Sequence, residues 1–245
     1  MNSHNRPKLS SIDSLYLHYP KIKICGLTRT EDIIKCGELG VDAVGFLLKR
    51  KSTKTNYHTD LLPPTQAAKL ISETPAKLAT VLLIHCPDYK TISDLVHQIC
   101  PSALQLQNQS LCPDTTKKLK VNFPDVELIK TVHIKDKTPY EYVEYLQPYI
   151  EYVDAILLDS AKGGSGHTHD WQVSKEIRAC LGTVPVILAG GLNEKNVETA
   201  IKTVKPHAVD VMSSVNIERG IKDQDKISAF VSSVHRVSDA NINHC

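Results

Sequence analysis

The chain has 245 residues, 41% of them hydrophobic and 23% charged, with a formal net charge of +2. This is an ordinary globular balance, and it offers no electrostatic case for wrapping nucleic acid. No apolar run approaches the roughly 18 residues that span a bilayer, and the start "MNSHNRPKLSSIDSLYLHYP" has no apolar leader core, so the expectation is a soluble, cytoplasmic protein with neither a nucleic-acid nor a membrane partner.

Eight short runs read as buried strands: "KIKIC" (21–25), "AVGFLL" (43–48), "LATVLLI" (78–84), "ALQLQ" (103–107), "ELIKTVHI" (127–134), "AILLDS" (155–160), "VPVILAG" (184–190) and "AVDVMSS" (208–214). Several are nearly continuous in Ile, Leu and Val, as parallel strands covered on both faces are. Each is followed by a segment of helical periodicity, for example "TEDIIKCGEL", "PTQAAKLISE" and "NEKNVETAIKTV". Thr30, with Glu31 and Asp32 behind it, is expected to cap the first helix, and Asn193 before Glu194 the helix behind the seventh strand. Trp171 is expected to begin the sixth helix. Eight strand–helix units without a linker between them fit a single closed (β/α)8 TIM barrel of the α/β class, spanning 21–235. A polar N-terminal extension, 1–20, and a polar C-terminal tail, 236–245, flank it.

Such a barrel carries its chemistry at the carboxyl ends of the strands. Those ends are Cys25, the Lys49–Lys54 loop, His85, Gln107, His133, Asp159, Gly190–Gly191 and Ser213–Ser214. The first and sixth predicted strands face each other across the mouth, one ending in a thiol and the other in a carboxylic acid. A thiolate and an acid on opposite sides of a substrate suit proton removal at one place and proton delivery at another. Cys25 also has a plainer reading as a small buried side chain, and Asp159 as a loop hydrogen-bonder. The seven cysteines are odd in number, scattered and without a CxxC pair, which argues against a disulfide framework or a structural zinc site.

"LAGGLNEKN" sets two glycines after the seventh strand with a helix behind them, and "DVMSSVN" adds N–H groups and hydroxyls after the eighth. These two loops are the frequent phosphate site of such barrels; Gly190 and Gly191 can equally serve a tight turn. Gly164 and Gly166 of "KGGSG" can add N–H donors or form a lid. The cations of "KRKSTK" can hold a carboxylate or steer an acidic substrate. His167, His169 and Asp170 form a weak cluster with no distant partner at a metal-ligand spacing, and no metal is expected.

In combination and in order, "KICGLTRTED", "VGFLLKRKS", "LLDSAKGGSGHTHDW", "VILAGGLNEKNV" and "VDVMSSVNIERGIKDQDKI" resemble the phosphoribosylanthranilate isomerase family of tryptophan biosynthesis, from about Lys21 to Val234. The resemblance implies a (β/α)8 barrel and an Amadori rearrangement of N-(5-phosphoribosyl)anthranilate to 1-(2-carboxyphenylamino)-1-deoxyribulose 5-phosphate, without cofactor or metal. It implies Cys25 as general base and Asp159 as general acid. Substrate binding would fall to Lys54, Gln107, Gly164, Gly166, Gly190, Gly191, Ser213 and Ser214, in a monomer or homodimer. The recognition shell departs from the family pattern. Ser52-Thr53-Lys54 stands for Ser-Pro-Arg, Gln107 for a histidine, Asn108 for a glycine, Ser214 for a glycine, Asn216 for a glutamate and His169 for an aromatic. Two other readings are a divergent paralogue acting on another phosphoribosylamine and a non-catalytic sugar-phosphate-binding barrel.

Overall fold

A computed structural model of the chain describes residues 6–10, 20–49, 60–86, 88–160 and 168–242. All eight predicted runs form strands: β1 (Lys21–Cys25), β2 (Ala43–Leu48), β4 (Ala79–Ile84), β5 (Ala103–Leu106), β6 (Glu127–Ile134), β7 (Ala155–Ser160), β8 (Val186–Leu188) and β9 (Ala208–Val211). They pair in parallel in that order, and β9 pairs back onto β1, which closes the barrel. Three short strands were not legible in the periodicity. β3 (Leu61–Leu62) pairs with the end of β2, and β10 (Asn216–Glu218) and β11 (Ile221–Lys222) form an antiparallel hairpin after β9.

The helices α1 (Thr30–Glu38), α2 (Pro64–Glu73), α3 (Tyr89–Ile99), α4 (Pro113–Asn122), α5 (Pro139–Leu146), α6 (Trp171–Leu181), α7 (Val197–Val204) and α8 (Gln224–Ile242) alternate with the barrel strands. Strand alternation divides the core into two shells. Ile22 and Ile24 point out to the helices, while Cys25 joins an inner cluster with Val81, Ile129, Leu157 and Ile187.

Some boundaries differ from expectation. The N-cap of α1 is Arg29, and Thr30 is already helical, its hydroxyl donating instead to Glu73 Oε2 at 2.7 Å. α7 starts at Val197, because Asn193 Oδ1 accepts from the N–H groups of Lys195 and Asn196 and so shapes the turn ahead of the helix. α8 runs on to Ile242, past the expected barrel end at 235. Trp171 does begin α6, with Asp170 as its cap.

Part of the N-terminal extension is built into the fold. Strands β2, β4, β5, β7 and β9 all begin with Ala, which leaves room at the amino-terminal mouth of the barrel. Leu9 fills it, only 2% exposed and packed within the inner cluster. The N–H groups of Leu9 and Ser10 donate to the buried Glu127 carboxylate at 2.7 and 2.9 Å. Arg6 donates to the carbonyls of Ile71, Thr74, Pro75 and Leu78, which satisfies the end of α2.

Candidate active site

Cys25 ends β1, and Asp159 lies one residue from the end of β7, so both sit at the carboxyl-end mouth. The ring order β1, β9, β8, β7 puts them three strands apart. Between them lies a buried ion pair that carried no functional assignment from sequence. Lys23, two residues before Cys25 on the same face, meets Asp210 of β9 at 2.8 Å, close but off hydrogen-bond alignment. A signal for this pair was present: Lys23 is the interior charge of "KIKIC" and Asp210 the one charge of "AVDV", and buried charges are seldom kept without a partner.

After burial, this pair is the main influence on the charges of the mouth. The Asp159 carboxyl is pushed up to about 6, by burial first and by the Asp210 charge second, with the Ser160 N–H and Lys23 pulling the other way. Burial pushes the Cys25 thiol up to about 11, with Lys23 and Lys222 opposing it and Asp210 assisting. Burial alone would lower Lys23, yet the charges of Asp210 and Cys25 outweigh it and hold the ammonium above its ordinary value. A raised acid and a thiol facing two cations are the environment expected of groups that exchange protons.

Glycines bring the backbone close around both groups. A Cβ at Gly45 would meet Cys25 Sγ at 2.8 Å. Gly190 has φ of +85°, and a Cβ there would meet Ser160 N at 2.5 Å and Asp159 Oδ1 at 3.0 Å. Only glycine allows that turn to press against the residue bearing the acid. His133 is the register partner of Asp159 on β6, and burial, with Lys135 and Lys130, holds its pKa below the ordinary value.

The other expected site residues divide. Gly190 and Gly191, both at positive φ, follow β8, and Ser213 and Ser214 form a 3-10 turn after β9. The Ser214 hydroxyl donates to Leu192 O at 2.6 Å, which ties these two loops together. That hydroxyl is therefore engaged with protein, while Ser213 is exposed. Gln107 follows β5, and its N–H donates to Ile84 O at 3.0 Å. His169 pairs with Ser174 of α6 at 2.6 Å. Lys54, Gly164 and Gly166 lie outside the described residues, as does His167.

Comparison with known proteins gives one consistent result. The family model for N-(5'phosphoribosyl)anthranilate (PRA) isomerase matches residues 22–233. The N-(5'-phosphoribosyl)anthranilate isomerase of Methanocella arvoryzae is 39% identical over 219 residues, covering 87% of this chain and 97% of that protein. A phosphoribosylanthranilate isomerase solved in complex with reduced 1-(o-carboxyphenylamino)-1-deoxyribulose 5-phosphate superposes with a TM-score of 0.71 at 28% identity, covering 88% of this chain and 98% of that one. Monomers of the dimeric enzyme from Thermotoga maritima give the same TM-score, identity and coverage.

Proposed function

The chain belongs to the N-(5'-phosphoribosyl)anthranilate isomerase family, and from that premise we propose that it converts N-(5-phosphoribosyl)anthranilate to 1-(2-carboxyphenylamino)-1-deoxyribulose 5-phosphate. Asp159 gives its proton to the ribose ring oxygen as the C1–O bond breaks, leaving a Schiff base between C1 and the anthranilate nitrogen. The Cys25 thiolate then takes the proton from C2. The C2–H electron pair forms the C1–C2 double bond, and the nitrogen recovers its lone pair. The resulting enolamine tautomerises to the 2-ketone. C2 is oxidised and C1 reduced within one molecule, so the electrons balance without a redox cofactor.

The observation that carries this reading is the thiol and the acid on one barrel mouth, coupled through Lys23 and Asp210. The loops after β8 and β9 are the proposed phosphate seat, supported by the two left-handed glycines and the Ser214–Leu192 tie. Lys54 and Gln107 are the proposed contacts for the anthranilate end, and Gly164 and Gly166 the proposed covering loop. A cytoplasmic monomer or homodimer fits a biosynthetic isomerase of this family.

The test is rescue of a tryptophan auxotroph lacking this isomerase. The parent chain is expected to restore growth, and Cys25→Ala and Asp159→Ala are each expected to abolish it. A folded parent that fails to rescue would point to another phosphoribosylamine as substrate. Turnover unaffected by Asp159→Ala would remove the acid assignment.

A further inference from the structure

Lys222 stands outside the eight barrel strands, on β11 of the small hairpin that follows them. Its side chain is among the largest that are fully buried. The ammonium has three N–H groups to place, and its acceptors are Cys25 O at 2.6 Å, Asn216 Oδ1 at 2.7 Å and Met212 O at 3.2 Å. Two of these are backbone carbonyls at the carboxyl ends of β1 and β9, and the third is an amide. None is a carboxylate, so a buried cation is spent on the backbone that carries the thiol. The Lys222 N–H donates to Asp32 Oδ2 at 3.2 Å, and Asp32 is gripped by Arg29 at 2.8 and 3.0 Å, which anchors the hairpin to α1.

We propose that Lys222 is a positioning residue for the thiol base: it clamps the ends of β1 and β9 together at Cys25 and sets a cation beside the developing thiolate. The proposal rests on the reading of Cys25 as the base. The groups that act on it come from every side. They are Cys25 on β1, Asp32 and Cys36 on α1, and Asp210 on β9, while Lys226 of α8 donates to Asn216 O. Burial pushes the Lys222 ammonium down to about 8, against the pull of those thiols and carboxylates. The cation is thus lost within an accessible pH range, and its role can be read from a pH profile.

The experiment compares the full-length parent chain with Lys222→Met, Lys222→Arg and Asn216→Asp, assayed with N-(5-phosphoribosyl)anthranilate across pH, with circular dichroism and melting as folding controls. The parent's kcat/KM is expected to decline above about pH 8 as Lys222 loses its proton. Lys222→Met is expected to lower kcat by roughly 10- to 100-fold, less than the roughly 100- to 10,000-fold contribution of a proton-transfer group itself because Lys222 acts through Cys25, with KM within about twofold, and to lack that decline. Lys222→Arg keeps a permanent cation, so it recovers part of kcat and also lacks the decline. Asn216→Asp puts a carboxylate on the ammonium, which moves the decline to higher pH and lowers kcat at neutrality. It also serves where Lys222→Met does not fold. A folded Lys222→Met with the parent's kcat and pH profile, or an Asn216→Asp decline that stays in place, overturns the proposal. Cys25→Ala in the same assay separates the two readings: if it remains active, the base assignment fails, and if it is dead while Lys222→Met matches the parent, only the clamp fails.

Discussion

Burial acts on Asp159 and Cys25 in the same direction, toward the protonated form, but their proposed tasks differ. The acid is wanted protonated and the thiol ionised. With Asp159 near 6 and Cys25 near 11, that combination is a minor species whose share is constant between the two values. Below about pH 6 Asp159 is already protonated and the thiolate share falls tenfold per unit, so kcat/KM is expected to fall with it. Asp210→Asn removes a charge that raises Asp159 and leaves Lys23 unopposed, and both changes favour the ionised carboxylate. The acid bend of the profile is therefore expected to move to lower pH in that variant. A bend that does not move belongs to another group, such as the substrate phosphate.

Among the elements, the segment 6–10 and the strand ends it meets divide stability from chemistry. Leu9 fills the amino-terminal mouth, and the N–H groups of Leu9 and Ser10 satisfy Glu127 there, at the opposite end of the strands from Cys25 and Asp159. Conservation of function at one barrel face and of stability at the other is a general property of this architecture. Leu9→Ala is expected to cost roughly 2–5 kcal/mol, the range for emptying a buried leucine site, and so to lower the melting temperature by several degrees. kcat/KM is expected to stay within about twofold of the parent. A calorimetric scan unchanged by Leu9→Ala would show that the segment does not seal the barrel in solution, and a large loss of turnover at unchanged stability would place it in the chemistry instead.

For the molecule as a whole, ligand binding and folding are linked, because ring closure, in which β9 pairs with β1, brings Cys25 beside the loops after β8 and β9. Reduced 1-(o-carboxyphenylamino)-1-deoxyribulose 5-phosphate at about 100 times its Kd is expected to stabilise the fold by about 2.7 kcal/mol, seen as a raised melting temperature. Asp159→Asn, which alters the acid but not the proposed phosphate seat, should keep most of that gain. Gly190→Ala should lose it, because a Cβ there collides with Ser160; an unshifted melt of the parent would refute the assigned ligand class. Much of this was legible in the chain alone. Eight apolar runs with intervening helical periodicity determined the ring of strands, and their last residues pointed to Cys25, Asp159 and the paired loops, because period and burial are local properties of sequence. The helix start at Thr30 misled, since a threonine's hydroxyl takes whichever acceptor the fold brings near, and here that is Glu73. Tertiary structure alone decided that Lys23 faces Asp210, that Leu9 closes the lower mouth, and that Lys222 reaches Cys25 across 197 positions. The physical reason is the same in each case. What a buried charge or a small side chain is for depends on its neighbours, and ring closure chooses those neighbours from distant parts of the chain.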